Sequence, residues 1–341
     1  MDQGPEHRNT GRAVRLRAPG PADSGIRPDA GNVLVVTDEQ TGEALGEVTL
    51  DRGAHDPQTA AATFSVRPAA RRRGVATAAL RALGRHAAAS GVHRLELVIP
   101  WENTAAQRAA LAAGFAREGA RRGALPAADG RQDALVFARL IGDPEVAPVR
   151  LLPDLPGGEL SDGVVTLRPL GPGDLDFYTE LHHLPDVVAT SVPPVPMPDA
   201  TIRERCHRAE AHWLSGSRAD LVILDAATGA PAGEIGLYYQ EPATAQAMIG
   251  YSMLTAYRGK GFTTRAAQLV ALWAFAETGI ARLIAGAVPE NIGSQRVLEK
   301  AGFQREAYQR SRLPGPGGSR VDDIQFVLLA GDLLAQASGR A

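Results

Sequence analysis

Lysine is nearly absent: 341 residues hold only Lys260 and Lys300, and arginine carries the rest of the basic charge. Cysteine is scarcer still. Cys206 stands alone, which excludes an intramolecular disulfide and a multi-cysteine metal site, and reads as a small buried apolar residue. Aromatic residues make up 5% of the chain, so the basic stretches lack the interleaved rings of a nucleic-acid groove. No apolar run approaches the roughly 20 residues of a membrane span. The polar N-terminus carries no hydrophobic signal core, which makes the cytoplasm the expected location. A formal net charge of −2 argues for neither a nucleic-acid nor a membrane partner, and no metal is expected.

What the chain does contain is a repeat. Residues 91–115, GVHRLELVIPWENTAAQRAALAAGF, align without a gap on 279–303, GIARLIAGAVPENIGSQRVLEKAGF, with 10 of 25 positions identical. Upstream, RRRGVAT (71–77) pairs with RGKGFTT (258–264). Two copies of one fold follow. The Pro/Gly-rich stretch 141–160 reads as a linker between them. The expected layout is a disordered tail over 1–11, a shortened domain over 12–140, the linker, and a complete domain over 161–335.

The second copy reads as strand, two helices, three strands, helix, strand, helix, strand: a mixed α/β sheet with helices on its faces. VVTLRPL alternates like a strand, and Asp174 is placed to cap a helix ending near Leu184. Asp199 or Thr201 opens a second helix ending near Leu214. Ala267, Val270, Ala271, Ala274 and Phe275 share one stripe of a third helix. Gly302 is placed to end the last helix. The first copy is 36 residues shorter between its first strand (AVRLRA) and its second (NVLVVTD). Only PGPADSGIRPDAG lies there, too short and too rich in Pro and Gly for two helices.

Each paired loop lies after a strand and opens a helix. Successive backbone N–H groups at such a turn converge, and the helix N-terminus adds about half a positive charge, so a pyrophosphate is the expected ligand. Gly74 and Gly261 allow close backbone approach.

The pattern resembles the GNAT N-acetyltransferases, whose signature is a strand, Arg/Gln-x-x-Gly-x-Gly/Ala, then a helix. The second domain, with GEIGLYY, IGYSML, YRGKGFTTRAA and RLIAGAVPENIGSQRVLEKAGF, is similar to the branch that acetylates ribosomal-protein N-termini (RimJ/RimL-like). The first, centred on FSVRPAARRRGVATAAL, resembles the general core. The resemblance implies two tandem acyl-CoA N-acyltransferase folds, the first lacking its two early helices, and acetyl-CoA as acyl donor. It places the phosphate cradle on Arg258, Gly259, Lys260, Gly261, Phe262 and Thr263. In the first domain the cradle would be Arg71, Arg72, Arg73, Gly74, Val75 and Ala76, the closer match because Thr263 stands where the motif ends in Gly or Ala. Met253, and Val66 in the first copy, mark the strand expected to pair with the pantetheine arm. Asn291 and Asn103 match a cofactor-contacting Asn and are equally placed as helix caps.

Ser294 matches a position that would protonate the leaving thiolate; Ala106 replaces it in the first copy. The tyrosine common four residues before the Gly of GF is replaced by Ala110 and Leu298. Candidate bases are Glu234, which otherwise reads as a solvated strand residue, and Tyr251. His182 and His183 read as surface residues. Three functions stay open: acetyl transfer to a protein N-terminus or other primary amine by the C-terminal domain, an antibiotic-type small-molecule amine acetyltransferase, and a non-catalytic acyl-CoA-sensing or assembly module.

Overall fold

A computed structural model of the chain describes residues 13–21, 23, 32–128 and 130–332. The tail expected over 1–11, and residues 333–335 of the second domain, lie outside the described residues. The chain divides into two units, Met1–Val149 and Arg150–Ala341.

The first unit runs β1 (Val14–Arg17), β2 (Val33–Asp38), β3 (Ala44–Arg52), β4 (Thr59–Val66), α1 (Val75–Ala89), β5 (Arg94–Pro100), α2 (Thr104–Ala112), β6 (Ala116–Ala127) and β7 (Gly130–Leu140). These strands form one sheet in the order β1-β2-β3-β4-β5-β7-β6. The second unit runs β8 (Leu160–Ser161), β9 (Val165–Pro169), α3 (Leu175–His183), α4 (Pro185–Thr190), α5 (Asp199–Leu214), β10 (Arg218–Asp225), β11 (Pro231–Glu241) and β12 (Gln246–Met253). It continues with α6 (Phe262–Glu277), β13 (Arg282–Ala287), α7 (Ile292–Ala301), β14 (Gln304–Pro314) and β15 (Arg320–Leu329). Its sheet order is β14-β15-β13-β12-β11-β10-β9-β8. Among the described residues no helix is long and apolar enough to cross a membrane.

Two mixed sheets of seven and eight strands are thus two versions of one architecture. In each, a single parallel pair sits among antiparallel neighbours: β4 with β5 and β12 with β13. The residues shared by the repeat hold equivalent contacts. Arg94 donates to Glu118 on β6 and Arg282 to Glu306 on β14. The buried Gln107 amide donates to the carbonyls of Pro100 and Trp101, and Gln295 to those of Val288 and Pro289.

Helix α6 packs on the sheet through Ala267, Val270, Ala271 and Ala274, all fully buried, as its stripe implies; Phe275 is partly buried. Ala266 and Trp273 join the same core, with the Trp273 ring 5.6 Å from that of Trp213. Full burial of a side chain such as Val270 contributes about 1.5–3 kcal/mol, and each alanine methyl roughly 0.8 kcal/mol. Gly302 ends α7 in the left-handed region.

Four expectations change. The stretch 141–160 is not free-standing: Leu152 and Leu155 enter the core of the second unit, and the Trp213 indole donates to Pro153 O at 2.9 Å. Helix α4 and strand β14 were not expected. Asp174 precedes α3, but its carboxylate accepts from Gly171 N and pairs with Arg168 at 2.6 Å instead of capping the helix.

In the first unit β1 pairs directly with β2, and no helix lies among the described residues between them. The uncovered face of β3 and β4 is polar. Thr49 and Thr63 share a 2.8 Å hydroxyl contact, and Ser65 Oγ donates to Glu47 at 3.4 Å. The matching face of the second unit is apolar at Val222 and Leu224 and lies under α3 and α5.

Gly46 and Gly233 occupy equivalent places on β3 and β11. A Cβ on Gly233 would lie 2.5 Å from Ser252 O, so the third strand must be bare there. Gly233→Ala is expected to cost about 1–3 kcal/mol by overpacking. Gly173→Ala, where a Cβ meets nothing within 4 Å, should cost under 1 kcal/mol, roughly the range of ordinary surface changes. Urea denaturation of both variants measures the difference.

Candidate functional site

The parallel pairing of β12 with β13 covers only Gln246 to Met248. Both strands run on, and β12 has no described partner on that side from Ile249 to Met253. Leu254 N donates to Ala232 O on the β11 side. By alternation, the amides of Ile249, Tyr251 and Met253 therefore face the gap.

A cavity of about 570 Å³ opens at this gap. Its floor is Tyr251, Ser252 and Met253, and Asn291, Gly293 and Ser294 from the start of α7 form one wall. The loop Arg258–Gly259 and the first residues of α6 form the far end, while Asp186 and Thr190 of α4 close a side. Arg296 and Lys300 add positive charge along α7.

The loop has its shape for a local reason. Gly259 and Gly261 sit at φ +72° and +83°, where a side chain is strained. A Cβ on either would meet no atom within 4 Å; both face open space. The first intrahelical bond of α6 runs from Arg265 N to Gly261 O. The N–H groups of Phe262, Thr263 and Thr264 therefore have no acceptor inside the helix, and all three residues line the cavity. This cradle fits a pyrophosphate: donors converge, no Cβ intrudes, and a helix N-terminus lies behind it.

Arg258 does not reach into the cradle as a loose charge. Its Nε and Nη2 donate to Met253 O at 3.1 and 2.9 Å, and its Nη1 pairs with Asp186. Lys260 lies outside the lining, its Nζ 5.1 Å above the Tyr257 ring. Asn291 caps α7, accepting from Ser294 N at 3.0 Å, and also lines the cavity.

Tyr251 OH lies 2.9 Å from Ser294 Oγ. Burial pushes the phenol up to about 12, against the Ser294 hydrogen bond. Burial thus favours the neutral phenol over the phenolate that a base would need.

Glu234 does not line the cavity. It is half-buried rather than solvated, its side chain 14% exposed, with His182 Nε2 2.9 Å from its Oε1, an approach without hydrogen-bond alignment. The His182 ring stacks on Tyr178 at 4.3 Å, and Arg205 donates to Tyr178 OH at 3.2 Å. Burial pushes the Glu234 carboxyl up, but His182, Tyr178 and Arg205 outweigh it and hold the group below the usual glutamate range. His182 is thus an interior residue, while His183 is exposed beside Asp199. Cys206 is buried, and burial lifts its thiol to about 11.

The first unit repeats the loop. Arg71 Nε donates to Val66 O at 3.1 Å, as Arg258 does to Met253 O. Gly74 starts α1 at φ +73°, with Val75 buried and Ala76 half-buried behind it, and Arg73 is exposed. Asn103 caps α2 through Ala106 N at 3.1 Å. The first-copy loop is nevertheless the poorer conformational match: Arg72 holds φ +61° where the second copy has Gly259, a cost of roughly 1 kcal/mol. Among the described residues Arg71 has no counterpart of Asp186, and no helix like α4 lies between β1 and β2.

Reasoning from sequence missed Asp186, Thr190, Arg296, Lys300 and the burial of His182. For Asp186 the only signal was a short Pro-flanked stretch, PDVVATSVPP.

A family model described as "Acetyltransferase (GNAT) domain" matches residues 9–116 and 165–304. The chain belongs to the GNAT acetyltransferase family. Over 67 residues, 20% of the chain, it is 48% identical to "Probable N-acetyltransferase YjcK" of Bacillus subtilis, and it spans 37% of that protein's length. The chain thus covers less than half of this curated GNAT relative. Among solved structures, spermidine N-acetyltransferase from Vibrio cholerae in complex with CoA and spermine is similar at 19% identity and TM-score 0.45, covering 51% of this chain and 99% of that one. Ribosomal-protein-S5-alanine acetyltransferase from Vibrio fischeri is similar at 18% identity and TM-score 0.45, covering 50% and 96%.

The half-buried Glu234 has a pH signature. Its folded pKa is lowered, so its contribution to stability is present above the unfolded value near ~4.3 and is lost as pH falls through the folded value. Glu234→Gln is expected to lose less stability than the parent between pH 7 and pH 3.5. His182→Ala, which removes one of the three groups that hold the carboxylate charged, should cost about 1–3 kcal/mol at pH 7. Urea midpoints at both pH values test this, and equal pH dependence of parent and Glu234→Gln refutes it.

Proposed function

We propose that the chain transfers the acetyl group of acetyl-CoA to a primary amine, and that the C-terminal unit catalyses the transfer. One observation carries this reading: a single cavity brings the cradle at Gly259–Thr264 together with the open edge of β12 and the Tyr251–Ser294 pair. In the reaction a C–S bond breaks and a C–N bond forms. The amine loses a proton to solvent, and the departing thiolate takes one up.

Acetyl-CoA supplies the activated thioester. The cradle N–H groups hold its pyrophosphate, and Arg296 and Lys300 balance the charge. The backbone of β12 at Tyr251 and Met253 offers donors and acceptors toward the gap, orienting the extended arm. When Tyr251 OH donates to Ser294 Oγ, one of the two directions their 2.9 Å contact allows, the Ser294 proton is free to point into the cavity toward the leaving sulfur. Tyr251 reinforces that donor and stays neutral throughout the working pH range.

The proton on the amine is another matter. Burial disfavours the Tyr251 phenolate that a base would need, and Glu234 lies outside the cavity lining. The amine therefore enters as the neutral species present in solution, a large fraction for an α-amine near ~8 and a small one for a lysine-like amine near ~10.4. An antibiotic-type acceptor would call for acidic walls, and Asp186 in this cavity is already held by Arg258.

Titration calorimetry with acetyl-CoA, followed by thiol release with an amine panel, tests the reading. Gly261→Asp is expected to abolish binding and release together. Release that survives Gly261→Asp and disappears in Gly74→Asp would move catalysis to the first unit. Ser294→Ala should lower kcat about 10²-fold, the low end of acid catalysis, with the KM for acetyl-CoA little changed. The kcat/KM for the amine should rise with pH to a plateau set by the amine's own pKa.

A further inference from the structure

A second cavity of about 350 Å³ adjoins the first, sharing Thr190 and Asn291 as walls. It lies between the chain leaving α4, the turn after β13, and the β14–β15 hairpin. Its apolar lining comes from Val192 and Pro194, from Val288, and from Leu313 and Val321. Val192 is 57% exposed, an apolar surface that no described residue of the unit covers. Glu290 is the one charged residue in the lining, and no cation pairs with its side chain among the described residues.

We infer that this cavity selects the acceptor, and that the acceptor is a primary monoamine on a compact apolar body, its ammonium drawn in by Glu290. The inference rests on the acetyl-transfer reading above and names its substrate class. Continuity at Thr190 and Asn291 places the amine beside the Ser294 end of the first cavity. The apolar walls match an uncharged hydrocarbon or aromatic group. A single carboxylate neutralises a single ammonium. A polyamine would press further ammonium groups against apolar walls with no counter-charge, and burying an uncompensated charge is strongly unfavourable. The volume suits a small molecule better than a folded protein surface.

The test compares kcat/KM for 2-phenylethylamine, a linear polyamine and a short peptide with a free α-amine, using thiol release by the full chain. Acetyl-CoA binding is measured in parallel by calorimetry. The arylalkyl amine is expected to exceed the polyamine by at least 10-fold. Glu290→Gln should raise its KM about 10-fold with kcat nearly unchanged, and Leu313→Glu should shift preference toward the polyamine. Should Leu313→Glu misfold, the exposed Glu290→Gln still decides the matter. A preference for polyamine or peptide, or an unchanged KM in Glu290→Gln, with thiol release intact, overturns the acceptor assignment and leaves acetyl transfer standing. Acetyl-CoA binding without thiol release from any amine removes acetyl transfer itself, and the acceptor assignment with it.

Discussion

The interruption of one parallel strand pair organises everything functional in the second unit. Strand β13 remains bonded to β15 from Arg282 to Ala287, while its pairing with β12 ends at Met248. Backbone groups left without a partner inside a sheet are costly unless something meets them. Here the start of α7 stands beside the gap, pinned by Asn291 and by the Gln295 amide on the carbonyls of Val288 and Pro289. The gap is thus held open by contacts on its walls. The first unit has the same break: β4 and β5 pair only from Thr59 to Ala62, and Gln107 and Asn103 hold the opposing loop in the same way.

Two copies of a frame need not do the same work. The polar face of β3 and β4 in the first unit is a surface adapted to water, with Glu47 and Ser65 opposite one another. Glu234 and Ser252 oppose one another in the same register in the second unit. There α3 lies over the glutamate and partly buries it against His182. A glutamate at one strand position is therefore a surface residue in one copy and part of an interior charge cluster in the other, purely because of what covers it. No such cover lies over β3 and β4 among the described residues of the first unit.

That dependence on cover also explains what could be read from the sequence. The repeat was legible because its shared residues make local contacts: Gln to the preceding turn, Asn to the next helix turn, Gly to its own backbone. The apolar stripe of α6 was legible because burial of one helix face leaves a 3.6-residue period. Strand β14 was not, because most of its residues are exposed and no alternation survives. Helix α4 spans only Pro185–Thr190, too short to show a period and flanked by prolines that read as loop. Glu234 could not be assigned from its own strand, since its environment is made by α3, some 50 residues earlier in the chain.

The same logic reaches the loop. Arg71 and Arg258 make the same bond to the carbonyl that ends the preceding strand, so that bond belongs to the frame. Only Arg258 is also tied to Asp186, and only the second copy meets the positive φ of the next residue with glycine. The segment that supplies Asp186 also supplies Thr190 and the apolar residues that follow it. One stretch of chain therefore orients the loop arginine, walls the first cavity and begins the second. Losing that stretch would remove all three at once and leave the cradle backbone standing, which is the state of the described residues of the first unit. The asymmetry between the described parts of the two units thus lies in one segment rather than in separate changes at each site.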